Sequence, residues 1–127
     1  MMPSPLSLLV IDDDTEIRKA VRFGAEDLGW TVIEAGDGEE GMQVLSEKSV
    51  DLVVSDVWMP KIDGIAFIKS ALEARPDLRV LAVSGGGMAP AALSLKMTEM
   101  YGALDILYKP FTPQELTEKL QALARRG

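Results

Sequence analysis

Histidine and cysteine are both missing from this chain of 127 residues. Without histidine, no Ser-His-Asp or Cys-His catalytic arrangement can be assembled from its own side chains, and zinc loses its commonest nitrogen ligand. Without cysteine, disulfides and thiolate metal sites are excluded, which fits a reducing cytoplasm. Long apolar runs are scarce as well. The N-terminal stretch from Leu6 to Ile11 is interrupted by Ser7 and runs straight into three aspartates, too short for membrane insertion and unlike a secretory signal. An excess of positive charge is also lacking: the net charge of −7 argues against direct binding to nucleic acid or to anionic membranes. No low-complexity linker or internal repeat divides the chain. Residues 1–127 are therefore expected to form a single domain with a core from about residue 6 to 125, and a composition 47% hydrophobic can fill that core.

Four continuously apolar runs, Leu8 to Ile11, Leu52 to Val54, Val80 to Val83 and Ile106 to Tyr108, read as strands buried on both faces of a parallel sheet. Between them lie helical patterns. Ile17, Ala20, Val21, Gly24 and Leu28 recur at helical spacing after Asp14, and Gly29 supplies a stop. Trp30 to Ala35 reads as a further strand, and Asp37-Gly38 opens a helix carrying Met42, Val44 and Leu45. Val50 to Ser55 is the next strand, followed by a helix striped with Ile65, Ile68 and Leu72 that ends at Arg75-Pro76. After a strand over Arg79 to Val83 and three glycines, a weaker helical pattern starts near Pro90 with Leu93, Met97 and Met100. The last strand, around Leu104 to Tyr108, leads through Lys109-Pro110-Phe111 to a capping box at Thr112-Pro113-Gln114-Glu115 and a helix with Leu116, Leu120 and Leu123. Strict alternation of strand and helix predicts a doubly wound α/β three-layer sandwich with five parallel strands in flavodoxin-like order 2-1-3-4-5.

In such sheets ligands sit beyond the carboxyl ends of the strands. The polar residues at those ends are Asp12-Asp13-Asp14, Asp56, Ser84 and Lys109. Adjacent aspartates repel one another, and a hard cation with oxygen ligands relieves the repulsion, magnesium being the natural choice. Read alone, the cluster fits a helix cap equally well. Asp56 can share a cation held by Asp13 and can act as a nucleophile toward phosphorus. Ser84 offers a hydroxyl, and Lys109 a compact positive charge, to a phosphoryl group. Isolated, each would read as an ordinary turn or solvated residue; at the ends of four strands they read as one site.

The chain resembles the receiver domain of two-component response regulators in Asp12-Asp13, in Asp56-Val57-Trp58-Met59-Pro60-Lys61-Ile62-Asp63-Gly64, in Ser84-Gly85 and in Lys109-Pro110-Phe111. The match spans nearly the whole chain and is similar to stand-alone, chemotaxis-regulator-like receivers. It implies a Mg2+ (or Mn2+) site using Asp13 and Asp56 directly, Asp12 largely through water, and the backbone carbonyl of Trp58. It implies Asp56 as phosphoacceptor from a histidine kinase or histidine phosphotransfer protein, with Lys109 pairing with the phosphoryl group and Ser84 shifting toward it. A cis Lys109-Pro110 peptide is expected on the same ground. So is a signalling switch, not a turnover enzyme, that acts on an unknown output protein through the fourth strand, the helix after it, the fifth strand and the last helix, a face on which a homodimer is also open. With no helix-turn-helix following Arg126, the chain reads as a stand-alone receiver or as one cut from a longer protein.

One departure matters. Receivers commonly carry an aromatic switch residue where this chain has Ile106, so Tyr108, on the same side of the strand, or the glycine loop Gly85-Gly86-Gly87 is the candidate reporter, with simple packing of Tyr108 the simpler expectation. Two other readings of the same fold fail on residues. A haloacid-dehalogenase-like phosphatase needs D-x-D-x-[TV], and here Glu16 follows Asp12-Asp13-Asp14-Thr15. A flavin carrier needs a phosphate loop where this chain is acidic.

Overall fold

The computed structural model describes residues 5–57, 64–84 and 105–125. Trp58, the glycine loop and the helix expected near Pro90 lie outside them. The described elements are β1 (Ser7–Ile11), α1 (Thr15–Asp27), β2 (Thr31–Ala35), α2 (Gly38–Glu47), β3 (Leu52–Asp56), α3 (Gly64–Ala74), β4 (Arg79–Ser84), β5 (Asp105–Tyr108) and α4 (Pro113–Arg125). All strand pairs are parallel, and the sheet runs β2-β1-β3-β4-β5. This is the flavodoxin-like order expected from the alternation of strands and helices.

The alternation of side chains along each strand divides the core in two. Leu9, Ile11, Val53, Val80, Ala82 and Ile106 pack with Phe67, Ile68 and Ala71 of α3 and Leu45 of α2. Leu8, Val10, Leu52, Val54, Leu81, Val83 and Leu107 pack on the other face with Val21 and Ala25 of α1 and Leu116, Leu120 and Leu123 of α4. Helices on both faces of the central sheet make the three layers. In the α3 stripe Ile68 is buried and Leu72 packs partly, as read in the sequence, the Ile65 side chain lies outside the described residues, and Phe67 and Ala71 are buried as well.

Local chemistry sets the ends of the elements. Asp14 caps α1 by accepting the Glu16 N–H at 2.9 Å, and Asp37 caps α2 by accepting the Glu40 N–H at 2.9 Å. At α4 the capping box is reciprocal: the Glu115 N–H donates to Thr112 Oγ1 at 3.1 Å and the Thr112 N–H to Glu115 Oε1 at 2.9 Å. α1 ends at Gly29, whose φ of 86° only glycine adopts without strain. Strand ends shift by a residue or two from the pattern. Trp30 spends its N–H on the Ala25 carbonyl at 3.1 Å, so β2 begins at Thr31. At β3 the register with β4 extends through Asp56, which pairs with Val83, so Asp56 is the last strand residue and not the first of the loop.

Gly41 lets α2 lie close against β1. A Cβ there would stand 2.6 Å from Ile11 Cδ1 and 3.0 Å from Phe67 Cε1, both in buried side chains. Overpacking typically costs ~1–3 kcal/mol, against a helix-propensity gain of about 1 kcal/mol for replacing glycine. Gly41→Ala is therefore expected to lower stability by roughly 1 kcal/mol in urea unfolding. An unchanged or raised midpoint would mean that Ile11 and Phe67 can yield.

Candidate functional site

β1 and β3 are neighbours, with Ile11 opposite Ser55, so Asp12 and Asp56 follow one another across the carboxyl edge of the sheet. β5 lies beyond β4, yet the long side chain of Lys109, the residue after β5, reaches back across that edge. Lys109 Nζ sits 3.0 Å from Asp12 Oδ2 and 3.2 Å from Asp56 Oδ2. Asp12 and Asp56 are buried and Asp13 is exposed, and a carboxylate oxygen from each of the three lies within 4.8 Å of the others. The residues thus divide the two readings of the acidic cluster between them. Asp14 is the helix cap, while Asp12 and Asp13 face Asp56. Three carboxylates against one ammonium leave a negative pocket of hard oxygen donors, a donor set that fits a divalent cation such as magnesium.

Burial is the main influence on Asp12 and pushes its carboxyl up from 3.8 to about 6, against the Asp14 N–H and Lys109 hydrogen bonds that lower it and with the Asp56 charge adding to the rise. Burial pulls Lys109 down, but hydrogen bonds and charge from Asp12 and Asp56 outweigh it and hold the ammonium above its ordinary value.

Ser84 joins the site only through its main chain, whose carbonyl accepts the Lys109 N–H at 2.8 Å. Its side chain is buried, and its Oγ is the one buried side-chain oxygen or nitrogen among the described residues without a hydrogen-bond partner. The Lys109-Pro110 peptide is cis, as the resemblance implied. Ile106 is buried in the core, while Tyr108 is 37% exposed.

Sequence reasoning missed the groups that hold the acidic loop. Arg18 Nη1 donates to the Asp12 carbonyl at 2.6 Å, Arg18 Nε to Glu34 Oε1 at 3.1 Å, and Arg22 Nε to Glu34 Oε2 at 2.7 Å. The available signal was Glu34 itself, an acidic residue following Val32 and Ile33 inside a strand.

The fold and this edge of carboxylates and lysine define a doubly wound parallel α/β domain with an acidic, cation-compatible site. Residues 8–121 match the response regulator receiver domain, and the chain belongs to that family. The chain is 33% identical over 120 residues to a protein of Cyanidium caldarium named probable transcriptional regulator ycf27, covering 94% of this chain and 46% of that protein. It is 34% identical over 117 residues to the C4-dicarboxylate transport transcriptional regulatory protein DctD of Rhizobium meliloti, covering 92% of this chain and 25% of that one. The chain thus spans half or less of the length of these relatives. Among solved structures, chemotaxis protein CheY4 of Vibrio cholerae superposes with a TM-score of 0.86 at 28% identity, covering 94% of this chain and 99% of that one. A CheY-like receiver domain protein of Methanospirillum hungatei superposes with a TM-score of 0.86 at 26% identity, covering 98% of this chain and 100% of that one. Receiver domains belong to two-component systems, where they serve as signalling domains and not as conventional enzymes.

Two measurements test the electrostatics of the metal-free site. Because Asp12 ionises near 6 when folded and near 3.8 otherwise, the folded state binds the extra proton between those values, and its stability falls as pH rises through that window. Above it the penalty is complete, on the order of 3 kcal/mol. Asp12→Asn, which keeps an acceptor for the Asp14 N–H, should be more stable than wild type by about that amount at pH 7, the gap closing toward pH 4. A gap independent of pH would contradict the assignment. Ser84→Ala removes an unpaired buried hydroxyl, whose burial costs ~1–3 kcal/mol, so it should raise the denaturation midpoint of the unmodified protein. A lowered midpoint would show that the hydroxyl is bonded in solution.

Proposed function

We propose that this chain is a phosphorylation-controlled switch that accepts a phosphoryl group on Asp56 from a histidine kinase or histidine phosphotransfer protein. The observation that carries this reading is the Lys109 ammonium held between Asp12 and Asp56, in a pocket where three carboxylates converge. Such a pocket can offer a nucleophilic oxygen and neutralise incoming charge at the same point.

In this reading Asp13 and Asp56 would hold Mg2+ (or Mn2+) directly and Asp12 largely through water, with the Trp58 carbonyl, outside the described residues, as the further protein ligand that the family resemblance implies. The bound cation supplies positive charge beside the phosphoryl oxygens. One Asp56 carboxylate oxygen forms a bond to phosphorus while the P–N bond of the donor breaks, its electron pair leaving on the ring nitrogen. Lys109, already charged, moves from pairing carboxylates to pairing the new dianion. Ser84, whose hydroxyl lacks a partner, turns toward a phosphoryl oxygen and shifts the chain that follows β4. With Ile106 locked in the core, the exposed Tyr108 is the residue of β5 able to report that shift.

The whole chain, 1–127, is read as one receiver domain with a core from about residue 6 to 125. Its location is proposed as cytoplasmic; no helix among the described residues is long and apolar enough to cross a membrane. With a net charge of −7, the chain's own surface is proposed to act on an output protein or a second copy of itself and not on nucleic acid. Relatives that are transcriptional regulators leave a DNA-directed output open for a longer protein.

Incubation with magnesium and acetyl phosphate should add one phosphoryl mass to wild type and none to Asp56→Asn. A beryllium fluoride analogue should then change amide exchange around Ser84 and Tyr108 in wild type alone. Equal labelling of the two proteins would remove Asp56 as the acceptor.

A further inference from the structure

Between the start of α1 and edge strand β2, one guanidinium grips three parts of the chain. Arg18 Nη1 donates to the Asp12 carbonyl at 2.6 Å, Nε to Glu34 Oε1 at 3.1 Å, and Nη2 to Thr15 Oγ1 at 3.3 Å. Its side chain is only 18% exposed. The Asp12 carbonyl belongs to the peptide unit that joins Asp12 to Asp13, and the N–H on the other side of Asp12 is held by the Ala35 carbonyl at 3.2 Å. The main chain of Asp12 is therefore tied to β2 from both sides, once directly and once through Arg18 and Glu34. Asp13 is exposed, so the direction in which its carboxylate leaves the chain depends on the orientation of that peptide.

We infer that Arg18 is a positioning residue: it sets the Asp12–Asp13 peptide so that the Asp13 carboxylate points at Asp56, and Glu34 fixes the guanidinium that does so. The inference rests on the reading of this site as a cation and phosphoryl site. Arg18 touches neither carboxylate of the pair in the described structure, and it acts through the backbone.

Charge supports the assignment. A lone guanidinium this close would repel a divalent cation. Here Arg18 and Arg22 share Glu34, and Arg22 also pairs with Glu26 at 3.2 Å, so two cations face two carboxylates and the group is neutral as a whole. Both arginines hold Glu34 below its ordinary value despite the opposing effect of burial, so the clamp stays ionised. The network can thus give direction to the acidic loop without adding net charge beside it.

Arg22 provides the control. It lies one turn further along α1, pairs with the same Glu34, and donates to the Val32 carbonyl at 3.5 Å but not to Asp12. A merely structural network would be damaged equally by losing either arginine.

The experiment compares wild type with Arg18→Ala, Arg18→Lys, Arg22→Ala and Glu34→Gln. It reads magnesium affinity by calorimetry, the acetyl phosphate rate at saturating magnesium, thermal stability, and metal-free exchange of the Asp13 and Asp14 amides. Arg18→Ala should weaken magnesium binding by roughly tenfold, the scale of lost outer-shell support. It should speed exchange at both amides, whereas Arg22→Ala leaves both within about twofold of wild type at a similar loss of stability. Saturating magnesium should restore most of the phosphorylation rate, and Arg18→Lys, which can meet only one or two of the three acceptors, should fall between. If Arg18→Ala does not fold, Arg18→Lys and Glu34→Gln carry the same comparison. Equal losses in the Arg18 and Arg22 variants, or wild-type affinity and exchange in Arg18→Ala, would overturn the inference. If wild type itself binds no magnesium and takes no phosphoryl group, the functional reading fails instead, and the exchange of the two amides still decides whether Arg18 holds the peptide.

Discussion

One ammonium between two buried carboxylates sets the conditions for everything at the carboxyl edge of this sheet. Asp12 and Asp56 lie side by side away from water, an arrangement that would force a proton onto one of them were Lys109 not within 3.0 Å and 3.2 Å. The pairing demands a particular sheet. β1 must lie beside β3 to bring the carboxylates together, and β5 must lie beyond β4, two strands from β3, at a distance a lysine side chain spans. A register slip in any of these strands would send one partner to the other face and leave a charge buried alone.

The balance is deliberately incomplete. Lys109 offsets only part of the acidic charge, and burial still raises Asp12 to about 6, an electrostatic strain of the kind that a bound divalent cation relieves. The same applies to Ser84, whose hydroxyl is buried without a partner in a structure that otherwise satisfies its buried side-chain polar atoms among the described residues. Native proteins tolerate such costs where a ligand will later remove them. Around this unfinished centre the supports are complete: Asp14 caps α1, the main chain of Asp12 is tied on both sides, and the Arg18–Arg22–Glu34 group carries no excess charge.

Much of the scaffold could be read before any coordinates. Thr112 and Glu115 announced their capping box because its two hydrogen bonds are local, spanning three residues. Gly29 announced the end of α1 for the same reason, since a positive φ is a property of one residue. Strand boundaries were less legible. Trp30 looks like a strand residue but spends its N–H on Ala25, and Asp56 looks like a turn residue but pairs with Val83; a partner across a turn decides the first and a partner distant in sequence the second. Phe67 and Ala71 join the α3 stripe because the face a helix buries depends on how it sits against α2 and the sheet.

By itself, the order of residues determined the alternation of strands and helices behind the doubly wound sheet and the short set of polar residues at strand ends, because apolar periodicity, caps and turn chemistry act over a few neighbouring residues; the family showed only as a resemblance in the motifs around Asp12, Asp56, Ser84 and Lys109. Tertiary structure alone decided which aspartates became cap and which became site, that Lys109 reaches two carboxylates while the Ser84 hydroxyl reaches none, and that Arg18 and Glu34 brace the loop. Those outcomes are set by distances between residues as far apart as 97 positions along the chain, which only packing brings within a hydrogen bond.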